Sequence, residues 1–263
     1  MIPLDDGSQF EWIVTGRTPT PHSREVSAAS GVALSCVIPL QFEKYAKILH
    51  RLDGHYENID HPLTEEEIAV LGLPACSVVR DLIVQKRRSS PTSRVSWKEA
   101  ADAFGIPYSP LIKHSWFSKR LNPHPECWPR FIYGPADGTL EADESRALVS
   151  VLTTVTGDQE CYFRLAAMPF IATDQNLLFA GTLNEVEDFF VNGPFQFTPE
   201  YWWPRDRSWC VCTDYDLEFT VVGGGAVVID SLVRNEVLEC IEVSSDIRID
   251  YLTPIPQGDL LAP

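Results

Sequence analysis

The alternation of apolar and polar positions is sharpest in the stretch that runs from Tyr201 to Gly225. Trp209, Val211 and Thr213 alternate with Ser208, Cys210, Cys212 and Asp214, the period of two that marks a half-buried strand over about 208–214. Ahead of it, Pro204 pushes Trp203 into extended backbone and cannot donate to a ladder, so residues 201–204 read as an entry loop. Behind it, Gly223, Gly224 and Gly225 read as a turn whose backbone angles are closed to other residues, opening a short helix over 226–233.

Elsewhere the pattern predicts a short strand over 10–14, a loop over 17–30 and a strand over 31–38 that stops at Pro39. Phe42, Tyr45, Ala46 and Leu49 then form one stripe, which predicts a helix over 41–52. Capping boxes at Thr64/Glu67, Ser96/Glu99 and Thr182/Glu185 start helices over 65–71, 97–104 and 183–191, and Pro74 opens another over 75–86. From Trp128 onward the pattern turns toward sheet, with strands over 129–133, 161–166, 176–180 and 237–243. A long helix over 141–156 lies among them, with an acidic first turn and Leu148, Val151, Leu152 and Val155 inward. The expected fold class is α+β, with a mixed sheet and helices packed on it in the C-terminal half and a mainly helical N-terminal half. A boundary near residue 125 separates the two parts, 1–125 and 126–263, which fit two domains or two halves of one.

Charge sharpens that division. The chain has 21 Lys and Arg against 37 Asp and Glu over 263 residues, a net −16. Residues 126–263 hold 7 basic and 23 acidic side chains, so the whole excess falls there. Such a field disfavours nucleic-acid phosphate and anionic membranes and favours basic partners. No run approaches the length of a membrane span and the first residues lack the features of a leader, so the expected location is the cytoplasm. The seven cysteines include no C-x-x-C pair, which signals neither a disulfide framework nor zinc. His50, His55 and His61, and the set His114, Asn122, His124, Glu126 and Cys127, also lack zinc spacing, and neither a metal nor a cofactor is expected.

Two basic features point to nucleic acid only weakly. The run 86–94 sits where cations complement a helix end, and the capped segment 97–113 is a bare outline of a helix-turn-helix.

Candidate chemistry gathers on the opening stretch. Backbone N–H groups at the glycine-preceded helix start, with Arg205 or Arg207 beside them, are suited to an anion, although a plain tight turn has the same sequence. Asp214 and Asp216 are spaced to point the same way on extended chain and to hold a hard cation, or else to be solvated and bond turn amides. Asp206 lies between two arginines and suits a salt-bridge network that pins the loop. Cys210 and Cys212 read as buried, reduced thiols.

The pattern W-W-P-x-D-R-x-W-C-V-x-T-D-x-D-x-x-x-T-x-V-G-G resembles one shared by a group of uncharacterised bacterial proteins, largely actinobacterial. The likeness extends over 131–140, 161–163 and 238–239 and touches 45–50 and 97–101. In those relatives the third glycine position is often a hydroxyl residue, from which Gly225 departs. The resemblance implies a common fold and no known activity.

Three functional expectations follow. The first is a cytoplasmic protein-binding protein of inhibitor or immunity type, whose acidic half recognises a basic surface, with Tyr201, Trp202 and Trp203 as exposed anchors. The alternative is an enzyme binding a metal or phosphate ligand with Arg205, Arg207, Asp214, Asp216, Gly223 and Gly224 in one concave site. A third makes Trp202, Trp203 and Trp209 a core staple.

Overall fold

A computed structural model describes residues 1–4, 7–21, 31–54, 93–120, 132–157, 159–165, 177–190 and 197–254. The chain divides into two compact units, 1–50 with 136–253 and 51–135 with 254–263. The first is therefore assembled from two separated stretches of the sequence, and its limits fall at 50 and 136 rather than near 125.

The larger unit holds strands β1 (Ile2–Leu4), β2 (Lys44–Leu49), β6 (Glu160–Leu165), β7 (Leu177–Thr182), β8 (Tyr201–Pro204), β9 (Trp209–Cys212), β10 (Phe219–Gly224) and β11 (Glu239–Val243). The smaller unit holds β3 (Leu52–Gly54), β4 (Ser93–Val95) and β5 (Ile132–Tyr133). Helices of the larger unit are α1 (Glu11–Gly16), α4 (Ala142–Thr156), α5 (Glu187–Phe190) and α6 (Ala226–Val233); those of the smaller are α2 (Trp97–Phe104) and α3 (His114–Arg120). All pairings are antiparallel, in an eight-stranded sheet ordered β1-β7-β6-β8-β9-β10-β2-β11 and a three-stranded sheet ordered β4-β3-β5.

The eight-stranded sheet is covered on both faces. Ala46, Phe163, Trp202, Trp209, Val211 and Val222 pack with Leu148 and Leu152 of α4 and Ile229 and Leu232 of α6 in one core. The other face carries Tyr45, Tyr162, Tyr201 and Trp203; Tyr162 lies tilted against Trp203 at 5.7 Å, and the other three meet Phe10, Trp12 and Phe42 of the N-terminal segment edge-on or tilted at centroid distances of 5.2–6.1 Å. Both faces of β8 and β9 are thus buried. Each tryptophan ring removes about 200 Å² from water, worth about 5 kcal/mol. The indole N–H groups of Trp202, Trp203 and Trp209 have no hydrogen-bond acceptor among the described residues, a cost of about 1–3 kcal/mol each that ring burial exceeds.

Several sequence expectations need correction. Residues 201–204 form strand β8 rather than a loop, because Pro204 ends the strand where its missing N–H costs least. The stripe over 41–52 is strand β2, buried at Tyr45–Leu49 on both faces. Phe10 ends a 3₁₀ turn and 11–14 lie in α1 rather than a strand, and 34–36 form a 3₁₀ turn rather than part of a strand. The described residues of the N-terminal half carry both helices and strands and do not clearly support a mainly helical half, while the expected helices over 65–71 and 75–86 lie outside them. By contrast α2 carries the Ser96–Glu99 capping box with Gly105 left-handed after it, α6 spans 226–233, and the Thr182–Glu185 box opens a 3₁₀ turn that continues into α5.

Candidate functional site

The residues singled out in the sequence occupy the two ends of the β8–β9–β10 meander. At one end, Arg205 to Ser208 turn between β8 and β9. The Arg205 amide donates to the Glu160 carbonyl at 2.8 Å and the Arg207 amide to the Pro204 carbonyl at 2.9 Å. Arg207 has a left-handed φ of 57° and lays its guanidinium 5.2 Å from the centroid of the Trp12 ring. The Asp206 carboxylate accepts from the Ser208 amide at 2.9 Å and from Gln159 Nε2 at 3.2 Å. Burial raises its pKa, but those bonds outweigh it and hold the carboxyl below the usual range. The loop is pinned by an amide and a glutamine, where ion pairs with the flanking arginines were expected.

The glycine triplet lies at the same end, but it is not a turn. Gly223 and Gly224 are the last residues of β10, and Gly225 precedes α6 in extended backbone. A Cβ on Gly223 would stand 2.4 Å from Phe42 Cδ2, so the glycine is required by close packing. At the helix start, the Ala226 amide donates to Glu43 Oε2 at 2.9 Å. The protein thus places its own carboxylate where an anion would bind.

Asp214 and Asp216 lie at the other end, in the turn between β9 and β10. β10 alone separates the two ends by ~17 Å, at 3.3–3.4 Å per residue. The structure therefore does not bring the two aspartates together with Arg205, Arg207, Gly223 and Gly224. Asp214 Oδ1 accepts from the Asp216 amide at 3.0 Å, and its carbonyl accepts from the Leu217 amide at 3.0 Å. This is a side chain closing its own turn. Asp214 is half-buried and burial raises its pKa, whereas Asp216 is exposed. Gly138, at φ 65°, seats the turn: its amide donates to Leu217 O at 2.9 Å, and a Cβ there would lie 2.5 Å from Tyr215 Cα.

Sequence reasoning missed Arg17, Arg164 and Glu200, which gather near this end. Arg17 Nη1 donates to the Tyr201 hydroxyl at 2.6 Å, and that hydroxyl donates to the Val37 carbonyl at 2.8 Å. Glu200 forms an ion pair with Arg164. Burial raises the Glu200 pKa and the Arg164 charge opposes it, while Asp214 adds to the rise. Two guanidiniums against two carboxylates make a balanced clasp, and no local spacing in the sequence could have announced it.

No family model, curated protein or solved structure matches this chain. Its chemistry therefore rests on the geometry. Burial pushes the Cys210 and Cys212 thiols far up and the Cys240 thiol to about 12, which leaves them protonated and unreactive at neutral pH. Among the described residues, no group of three His, Cys, Asp or Glu side chains converges for a metal ion, and no helix is long and apolar enough to cross a membrane. A groove of about 500 Å³ runs along α4, lined by Arg146, Val149, Thr153, Asn184 and Glu187, with Arg146 paired to Glu187 at 2.5 Å. None of the residues singled out in the sequence lines it. The expected exposed anchors are also relocated: Tyr201, Trp202 and Trp203 are 1%, 0% and 0% exposed, because both faces of β8 are covered.

Behind the aspartate turn runs a buried polar chain. His50 Nδ1 lies 2.7 Å from the Ala136 carbonyl and Nε2 lies 3.0 Å from Thr220 Oγ1, which is 2.8 Å from Thr213 Oγ1. A carbonyl only accepts, so Nδ1 carries the proton and Nε2 accepts from Thr220. Burial pushes the His50 pKa down to about 4, so the imidazole is neutral at pH 7.

Proposed function

We propose that this is a protein-binding protein of the inhibitor or immunity type, acting in the cytoplasm, whose acidic surface engages a basic surface on another protein. One observation carries the reading. The larger unit, 1–50 with 136–253, holds 10 Lys and Arg against 26 Asp and Glu, a net of −16, and the smaller unit holds 11 of each, a net of zero. The charge therefore belongs to one folded body, where it would accelerate encounter with a basic partner and discriminate against acidic ones.

The covered sheet faces and high-pKa thiols fit a binding role better than a catalytic one. The competing reading, a metal- or phosphate-binding enzyme, draws no support from candidate groups held at opposite ends of a strand. A pull-down from native cells at low and then raised salt tests the proposal. A basic protein retained at low salt and released as salt rises is expected. Retention indifferent to salt, or an acidic partner, would overturn it.

A further inference from the structure

The two edges of the eight-stranded sheet are built differently. β1 has three residues with Pro3 at its centre, and proline cannot donate to a neighbouring strand. Short, proline-bearing edges stop a sheet from growing. β11 reads Glu239-Cys240-Ile241-Glu242-Val243, without proline or glycine, and pairs along its whole length with β2. It is the last strand on its side of the sheet, and residues 240–243 make no further backbone hydrogen bond among the described residues. In an antiparallel pair, alternate residues direct their N–H and C=O groups away from the partner, so within 240–243 β11 turns backbone groups away from every described strand.

Charge and apolar surface around this edge narrow what can add to it. Val233 and Val237, on the approach from α6 to β11, are 41% and 40% exposed. Between 226 and 250 the chain carries Asp230, Glu236, Glu239, Glu242, Asp246 and Asp250 against Arg234 and Arg248. Lys44 binds Asp230 at 2.9 Å and Glu242 at 3.0 Å, while Glu236 and Asp246 are exposed. Paired antiparallel about Ile241, a second copy of this edge would bring Glu242 diagonal to its own copy inside the same acidic field, which is unfavourable. A basic strand meets no such penalty.

We propose that β11 is the docking edge for an extended, Lys- or Arg-bearing segment of a partner protein, which adds as a further strand with apolar side chains against Val233 and Val237. This deepens the acidic-binder reading and rests on it.

The test uses the whole chain and two labelled peptides, one alternating Lys with Val and the other Glu with Val, followed by fluorescence anisotropy and amide hydrogen exchange at low salt. The basic peptide should bind and slow exchange within 240–243 by about tenfold or more, and the acidic one should not. Glu236→Lys, on an exposed loop, should weaken binding severalfold without lowering the thermal midpoint. Val237→Ser, which keeps every charge, should weaken it as well. Binding of the basic peptide without slowing at 240–243 overturns the edge proposal and leaves the broader reading standing. Equal slowing by the acidic peptide overturns it too, as the mark of an unselective edge. No binding at all also overturns it, and the salt-sensitive pull-down then decides the broader reading separately.

Discussion

Gly223 uses ordinary strand backbone, and what it supplies is room for the Phe42 ring. A methyl group there would sit 2.4 Å from Phe42 Cδ2 and 3.0 Å from Cε2. Gly223→Ala is expected to cost about 2 kcal/mol, the usual range for overpacking. In a Phe42→Ala background the methyl has space, and the same change should cost less than about 0.5 kcal/mol, a coupling that denaturant titration of the double-mutant cycle measures. The sequence showed three glycines in a row and suggested turn angles. Nothing local told that an aromatic ring from residue 42 would lie on the strand. His50 was similarly silent, read first as one of three scattered histidines. With a folded pKa of about 4 against 6.5 unfolded, the unfolded chain binds the extra proton between those values, so its neutral form favours folding above pH 6.5. That contribution, up to about 3 kcal/mol, is lost as pH falls from 6.5 toward 4. Glu200 and Asp214, whose carboxyls are raised, act with the opposite sign, losing stability as pH rises through their folded values. The His50 share is therefore isolated by comparison: His50→Gln should flatten the decline in denaturation free energy between pH 7 and pH 4.5, and an unchanged slope would refute the assignment.

At the scale of elements, what could be read depended on whether the signal was local. The helices at 97–104, 142–156 and 226–233 follow from caps, stripes and glycines within their own turns. Strand β2 does not, because Lys44–Leu49 satisfies a helical stripe and a strand alternation at once. Its choice is made by β10 on one side and β11 on the other, about 170 and 190 residues away in sequence. The candidate site failed for the same reason. A D-x-D pair and a glycine triplet are close in sequence, yet the length of a strand, β10, holds them apart. The same long-range pairing explains the cap of α6, whose first amide is served by Glu43, the residue before β2. Glu43→Ala should cost about 1 kcal/mol and raise hydrogen exchange at the Ala226 amide, with exchange across β9 unaffected. Uniform loss of protection would instead mean that Glu43 supports the whole sheet.

For the whole molecule, the decisive quantity is one the sequence stated at once, the net charge, together with one it could not state, the body that carries it. Twenty-six acidic groups against ten basic ones in the larger unit leave most carboxylates with no cation to lose. The unit is therefore strained by its own repulsion. Its exposed ion pairs, such as Arg146–Glu187 and Arg234–Asp230, contribute about 0–1 kcal/mol each and are screened by salt as well. Repulsion among the unpaired groups outweighs them. Raising sodium chloride from about 0.01 M to about 0.15 M shortens the screening length from about 30 Å to about 8 Å, and the thermal midpoint is expected to rise by several degrees. Chloride suits the test because sulfate would also strengthen apolar burial. The same salt should weaken partner binding, so one charge distribution yields two salt dependences of opposite sign, read by calorimetry on the free protein and by affinity on the complex. A midpoint that falls with chloride would mean that local ion pairs dominate, and the acidic surface would then lose its standing as the source of recognition.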